Sequence, residues 1–368
     1  MTSVPFMDLS IQHRQIAEEV DRGFAEVLAA GDFIGGKAVG GFEQEYADYI
    51  GASHCVGVGN GTDAIEMALR ALDIGPGDEV VLPANTFIAT AEAVARAGAT
   101  VVLVDVDDAA LLLDPEAVEA AVTSRTRAVI PVDLYGQAAP YEAIPGSIRD
   151  RGIAILEDAA QSQGARRHGV QAGRLADIAA TSFYPGKNLG AYGDAGAVLT
   201  DDPELARKVR LMGAHGSAVK YEHEQFGFNS RLDTLQAVVL RAKLRRLDGW
   251  NAQRAEAARR YDELLALEPR VRRPQTLAGN EHVWHLYVIR VDARDEVLRR
   301  LNEDGIGAAI HYRVPVHLQP AFQHLDYRRG TFPVTEAAAD RILSLPMFPG
   351  ITAQQQELVV QKLIHHLA

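Results

Sequence analysis

The sequence predicts an α/β protein with a mostly parallel central sheet flanked by helices, followed by a smaller α+β unit. Three observations predict it. Short runs rich in β-branched residues alternate with helical patterns between residues 55 and 199, which is the pattern of parallel strands joined by crossover helices. A hydrophobic content of 47% against 23% charged residues is that of an ordinary globular chain. Past Pro269 the texture changes to a strand, a helix, a second strand, a Pro-rich connection and two closing helices. The 368 residues suffice for two cores, and the boundary is expected near residue 250, giving a large domain over 1–250 and a small one over 251–368.

The elements follow in order. Ile16, Val20, Phe24, Val27 and Leu28 recur at helical spacing, so residues 12–30 read as an amphipathic helix. Glycines 31, 35, 36, 40 and 41 read as a flexible connection before a short helix over 42–50. Strands are expected at 55–59, 79–82, 100–104, 127–132, 153–157, 178–183 and 195–199. Helices are expected between the earlier ones, at 62–72, 88–97 and 115–122. A long helical pattern runs from residue 232 past Trp250 to about 267. Beyond it come strands at 283–291 and 307–312, with a helix at 295–304 between them.

Composition excludes several classes. A net charge of −12 argues against sequence-independent nucleic-acid binding, which needs a basic footprint. The single cysteine, Cys55, rules out an intrachain disulfide and a cysteine-rich metal site, and it fits a reducing cytoplasm; no metal is expected. No apolar run reaches membrane-spanning length, and no secretory signal is read at the start, so a cytoplasmic protein with no membrane partner is expected.

The chemistry concentrates at strand ends, where open α/β sheets bind ligands. Lys187 sits in a Pro/Gly turn, Tyr184-Pro185-Gly186-Lys187, just after a strand. An amine held at a sheet rim is desolvated, which lowers its pKa and frees its lone pair for attack on a carbonyl. Asp158 ends an apolar strand, where a carboxylate requires a cationic partner. A protonated pyridine nitrogen would serve, and so would Arg166 or Arg174. Gln161 is placed to bond a ring hydroxyl, or else backbone. The turn Gly59-Asn60-Gly61-Thr62 leads into a helix and offers free N–H groups to a phosphate; alternatively Thr62 or Asp63 caps that helix. Ser182 ends another strand and can add a hydroxyl. Phe87 either covers a flat ring or belongs to the core.

The runs GNGTDAIEMAL, LPANTFIATAEAV, ILEDAAQSQGA, TSFYPGKNLGAYGDAGAVLT and GFNSRLDTLQAVVL resemble the DegT/DnrJ/EryC1/StrS sugar aminotransferases, in order and with matching spacing over nearly the whole chain. The resemblance implies a fold-type I enzyme dependent on pyridoxal 5'-phosphate. It implies that Lys187 forms the Schiff base, Asp158 pairs with the pyridine nitrogen and Gln161 contacts the ring oxygen. Gly61, Thr62 and Ser182 would hold the phosphate. Asn229 matches the residue that reaches the other subunit's cofactor phosphate, implying a homodimer with shared active sites; an N-cap at Ser230 is the simpler reading of that polar stretch. L-Glutamate is the implied donor, and a nucleotide-linked keto-sugar the acceptor.

Some relatives are dehydratases carrying histidine in place of this lysine, so Lys187 favours transamination. The stretches around Lys187, Lys220-Tyr221 and Trp250 are similar to enzymes aminating C-3 of dTDP-linked 3-oxo-6-deoxyhexoses. The runs NGTDAI and LYGQ are shared with a branch acting on UDP-linked 3-oxo-glucuronate derivatives, and another branch aminates C-4. Expected substrate contacts are Tyr184, Lys220, Tyr221, His311 and Tyr312. His215 is expected near the site without an assigned role. A non-catalytic cofactor-binding regulator is the competing class.

Overall fold

The computed structural model describes residues 3–219 and 221–367. Two N-terminal helices, α1 (Leu9–Ala30) and α2 (Gly36–Ile50), precede the alternating region. There β1 (His54–Val58), α3 (Gly61–Ala71), β2 (Glu79–Pro83), α4 (Ile88–Ala97), β3 (Thr100–Val104), α5 (Pro115–Ala121), β4 (Thr126–Val129), α6 (Gly146–Asp150) and β5 (Ala154–Asp158) follow. The short strands β6 (Arg166–Arg167) and β7 (Val170–Gln171) lead to β8 (Ile178–Ser182) and β9 (Gly196–Thr200). After α7 (Pro203–Gly213), the hairpin strands β10 (Ser217–Val219) and β11 (Glu222–His223) precede α8 (Thr234–Leu244) and α9 (Leu247–Leu264). The remainder holds β12 (Asn280–Glu281), β13 (Tyr287–Arg290), α10 (Arg294–Glu303), α11 (Pro333–Ala339), β14 (Ile342–Leu345) and α12 (Ala353–His366).

The central sheet runs β1-β9-β8-β5-β4-β2-β3. Pairs from β8 through β3 are parallel, whereas β9 is antiparallel to both β8 and β1. The connection between β8 and β9 carries Lys187 and no helix, and without a crossover two neighbouring strands pair antiparallel. The strands are buried on both faces, between a cluster around Leu69, Val94 and Val198 and others around Phe42 and Ile155. A separate core unites α9, α10, α12, β13 and β14 through Tyr261, Ile289, Leu301, Leu343 and Leu363.

Several sequence expectations change. α2 begins at Gly36, so Gly40 and Gly41 lie inside a helix and not in a flexible connection. Val39, Phe42, Tyr46 and Ile50 bury one face of it, and a Cβ on Gly41 would come within 2.9 Å of the Arg241 guanidinium carbon. The pattern over 232–267 is two helices, broken between Leu244 and Leu247, so that α8 packs on α1 and α2 while α9 packs on α12. Residues 307–312 form no continuous strand; only Ile306 and Ala309 make isolated bridges, to Val4 and Ser344. The partner of β13 is instead β14, in a segment read from sequence as part of the closing helices. Among the described residues no helix is long and apolar enough to cross a membrane.

Candidate active site

The carboxyl ends of β1, β2, β4, β5 and β8 open on one cavity of about 900 Å³ whose wall includes Gly61, Phe87, Asp158, Gln161, Ser182 and Lys187. Tyr184, His311 and Tyr312 also line it. The sequence-predicted cofactor residues, Asn229 excepted, therefore converge, as expected for ligands outside the strand ends of a parallel sheet.

Lys187 is positioned by an anchored turn. Phe183 is buried edge-on against Phe42 and Tyr46, with ring centroids 5.3 Å apart in both pairs. The Lys187 N–H donates to the Tyr184 carbonyl at 2.8 Å, and Ala191 N–H returns to the Phe183 carbonyl at 2.8 Å. A Cβ on Gly190 would strike the Pro185 carbonyl, so the loop can close only with glycine there. The residue is half-buried, with the cavity in front of it. Burial brings the Lys187 amine down to about 8, against the opposing pull of Asp158. Such an amine is partly unprotonated near neutrality and able to act as nucleophile and base.

Asp158 is 4% exposed. Its Oδ2 accepts from the Thr90 hydroxyl at 2.8 Å and its Oδ1 from Ala160 N–H at 3.2 Å. Burial raises its pKa, because none of these neutral donors replaces lost hydration in full. The arginine alternatives fail: Arg166 lies against Glu281 and Arg174 against Asp201. Among the described residues no ion pair reaches Asp158, and the only cation that acts on this buried carboxylate is Lys187, across the cavity and more weakly than burial does.

Gln161 has a defined orientation. Its Oε1 accepts from the Tyr135 N–H at 2.7 Å, and its Nε2 donates to the Tyr312 hydroxyl at 3.0 Å. One amide proton remains for a ligand oxygen. Phe87 is 49% exposed and tilts against Tyr312 with centroids 5.1 Å apart, so it faces the cavity and is not core.

At the phosphate end, helix α3 is capped by neither Thr62 nor Asp63. Asn60 does it: its Oδ1 accepts from Asp63 N–H at 2.8 Å. That leaves the N–H groups of Gly61 and Thr62, the first two of the helix, without acceptors among the described residues, at the positive end of the helix dipole. A Cβ on Gly61 would lie 2.6 Å from the Ser182 Cβ, so glycine lets the helix start approach β8. A buried carboxylate outside any ion pair, a depressed amine, an amide donor and a glycine-lined anion seat share one cavity. This donor set fits pyridoxal phosphate.

Other expectations separate. Tyr184 is 58% exposed at the cavity mouth. Lys220 lies outside the described residues. Tyr221 is 82% exposed and Asn229 is exposed, and neither lines the cavity. Ser230 is no helix cap; its hydroxyl donates to Asp63 Oδ2 at 2.7 Å and accepts from Gly59 N–H at 3.0 Å, tying this segment to the phosphate turn. His215 accepts from His223 through its backbone carbonyl and lies outside the cavity wall. Sequence reasoning missed Thr90 and His285. The signals were a second threonine four residues after Thr86 in an apolar helix, and a histidine inside an apolar strand run.

Residues 14–364 match the model of the DegT/DnrJ/EryC1/StrS aminotransferase family. The chain is 47% identical over 98% of its length, and 98% of the other, to a "pleiotropic regulatory protein" of Geobacillus stearothermophilus. It is 45% identical, over 97% of this chain and 94% of the other, to the dTDP-3-amino-3,4,6-trideoxy-alpha-D-glucose transaminase of Streptomyces venezuelae. The crystal structure of S. venezuelae DesV in complex with a ketimine intermediate superposes with a TM-score of 0.97 at 44% identity, covering 99% of this chain and 98% of that one.

Proposed function

Given that the chain belongs to the DegT/DnrJ/EryC1/StrS aminotransferase family, we propose that it moves an amino group from L-glutamate to a nucleotide-linked keto-sugar, best matched by a dTDP-3-oxo-6-deoxyhexose. The product would be the dTDP-3-amino-3,6-dideoxyhexose. The observation that carries this reading is the convergence of Lys187, Asp158 and the Gly61–Thr62 helix start on one cavity.

Pyridoxal phosphate, when bound, supplies an aldehyde for amine exchange and a protonated ring that withdraws electrons. The protein's part is placement and proton transfer. Asp158 holds the ring proton, since a buried carboxylate stays charged only beside a cation. Gln161 Nε2 donates to the ring oxygen. The N–H groups of Gly61 and Thr62, with the Ser182 hydroxyl, hold the phosphate, and Phe87 shields one face of the ring. Lys187 Nζ would anchor the cofactor and, once free, would be the base that takes the proton from the donor α-carbon. In the second half it returns a proton to the sugar carbon that receives nitrogen. Tyr184, His311 and Tyr312 stand where the hexose would enter, and Lys220 and Tyr221 are assigned to the nucleotide.

The active unit is read as a cytoplasmic homodimer. The β10–β11 hairpin exposes Val219 and Tyr221, and Phe226 just beyond it is exposed as well, an apolar patch of the kind that marks an interaction surface. It stands beside exposed Asn229, which would reach the phosphate of the other subunit's cofactor. The domain division near residue 250 falls within α9, whose buried face joins the C-terminal core.

The test is spectroscopic. L-Glutamate should bleach the visible band of the cofactor-loaded enzyme, and a dTDP-linked 3-oxo sugar should restore it. Restoration by a UDP-linked 3-oxo-glucuronate derivative or a 4-oxo sugar alone would reassign the substrate. The name of the Geobacillus relative favours one second reading, a cofactor-binding regulator. Failure of glutamate to bleach the band would support it.

A further inference from the structure

His285 belongs to no motif discussed so far, yet it lines the same cavity as Lys187 and is 6% exposed. Its protonation state can be read from a chain of hydrogen bonds that ends on backbone. Asn251 Nδ2 donates to the Gln163 carbonyl at 2.9 Å, which leaves Asn251 Oδ1 as an acceptor. Asn188 Nδ2 donates both to that Oδ1, at 2.9 Å, and to the Val283 carbonyl, at 2.9 Å. Backbone carbonyls cannot donate, so both amide orientations are fixed and both Asn188 amide protons are used. Asn188 Oδ1 is therefore an acceptor, and the His285 Nδ1 that lies 3.1 Å from it must carry the proton. A neutral imidazole with hydrogen on Nδ1 has a bare lone pair on Nε2.

The ring is kept neutral and in place. Burial, with Lys187 and Arg254 nearby, pushes His285 well below the usual histidine range. Arg254, itself fully buried, donates to the backbone carbonyls of Trp284, His285 and Met347 at 3.2, 3.4 and 3.1 Å. His285 Nε2 has no protein donor among the described residues. It is also not among the buried polar atoms sealed from solvent without a partner, in contrast to Nδ1 of His317 and His366. Its free face is the cavity that the ring lines.

We propose that His285 Nε2 is a fixed hydrogen-bond acceptor for a hydroxyl of the hexose, and so a specificity-determining residue for the sugar half of the reaction. A hydroxyl-bearing sugar satisfies the lone pair, and a deoxy analogue at that carbon leaves a desolvated acceptor unpaired, which is how polar sites reject isosteres. The identity of the donor rests on the keto-sugar reading above; the tautomer does not.

Two measurements test this. Neutron diffraction of the cofactor-loaded enzyme should show deuterium on His285 Nδ1 and none on Nε2; the opposite assignment overturns the proposal. His285→Asn keeps a donor where Nδ1 was, preserving the bond to Asn188, and deletes Nε2. By calorimetry on the cofactor-loaded protein, His285→Asn should bind an unreactive dTDP-hexose about tenfold more weakly than the wild type does, the worth of one good hydrogen bond. The affinity for dTDP alone should stay equal in the two proteins. His285→Gln, which places an amide where Nε2 was, should recover part of the hexose affinity. Equal hexose binding by wild type and His285→Asn overturns the inference while leaving the nucleotide-sugar reading intact. A wild type that binds no nucleotide hexose overturns the reading and the inference with it.

Discussion

Gln161 and Tyr135 are joined by a bond that sets the polarity of the active site: the Tyr135 N–H donates to Gln161 Oε1 at 2.7 Å. Tyr135 can offer that N–H because its backbone sits at φ 64°, in the left-handed region. With its oxygen occupied, Gln161 turns its nitrogen toward Tyr312 and the cavity. A Gln161→Glu variant keeps the acceptor and loses the donor. Cofactor affinity, read by fluorescence titration of the cofactor-free protein, should fall about tenfold, the cost of one hydrogen bond to a charged oxygen. Undiminished affinity would mean that Gln161 does not meet the ring oxygen.

Burial gives Lys187 its usable chemistry, and pH should expose it. In the cofactor-free protein the amine should acylate with a midpoint near pH 8, well below the ordinary lysine value of about 10.4. Lys243, also buried and brought down to about 8, requires the label to be assigned by peptide mass spectrometry. The sign for stability follows from linkage. The folded state binds the Lys187 proton less tightly than the unfolded chain, so this group's contribution rises as pH climbs from about 8 toward the ordinary lysine value. A midpoint near the ordinary lysine value would remove the desolvation argument.

Replacing Asp158 by Asn keeps its size and its Thr90 contact but removes the charge that holds a ring proton. Turnover should drop by about two orders of magnitude or more, in the range that loss of a proton-holding group costs, with the glutamate half-reaction slowed as well. Lys187→Ala should abolish turnover outright. Stopped-flow bleaching by glutamate reads both, and substantial transamination by Lys187→Ala would sink the assignment.

Gly61 is where the phosphate seat depends on an absent side chain. In Gly61→Ala the new Cβ would stand 2.6 Å from the Ser182 Cβ, inside any allowed contact. Helix α3 or the end of β8 must shift, at about 1–3 kcal/mol for overpacking of this kind. Thermal melts of the cofactor-free protein should show the loss directly. Cofactor affinity should fall further, because the same shift moves the two free N–H groups. An unchanged melting temperature would mean that the close approach is relieved at no cost.

How much of this was legible from the sequence depends on the range of the interactions involved. The strand at 100–104 was read with the bounds the structure shows because four apolar residues after Thr100, three of them valine, make a largely buried parallel strand, a local signal. Lys187, Asp158 and Gly61 were legible because strand-end position is itself local. Gly40 and Gly41 misled, since the helix they belong to is held by the buried face of Val39, Phe42, Tyr46 and Ile50, and Gly41 leaves room for Arg241, two hundred residues away. β14 was hidden because its four residues pair with β13 across more than fifty positions and carry no turn signal of their own. His285 was visible only as a histidine in an apolar run; its role was hidden for the same reason, since its chemistry is set by Asn188, 97 positions earlier.

Asn229 is exposed and outside the cavity of its own chain, so its assigned role is meaningful only across a subunit interface. That geometry has a consequence that no single variant can show. Asn229→Ala and Lys187→Ala homodimers should each be impaired, one in phosphate binding and the other in chemistry. When the two are denatured, mixed and refolded, half the dimers are hybrids. In a hybrid, one site combines both lesions and the other has Lys187 from one chain and Asn229 from its neighbour. About one quarter of all sites are then intact, as the two-fold symmetry of an isologous dimer dictates, and activity should recover to about that level. Mixing without recovery, while light scattering shows dimers, would place Asn229 outside the shared site.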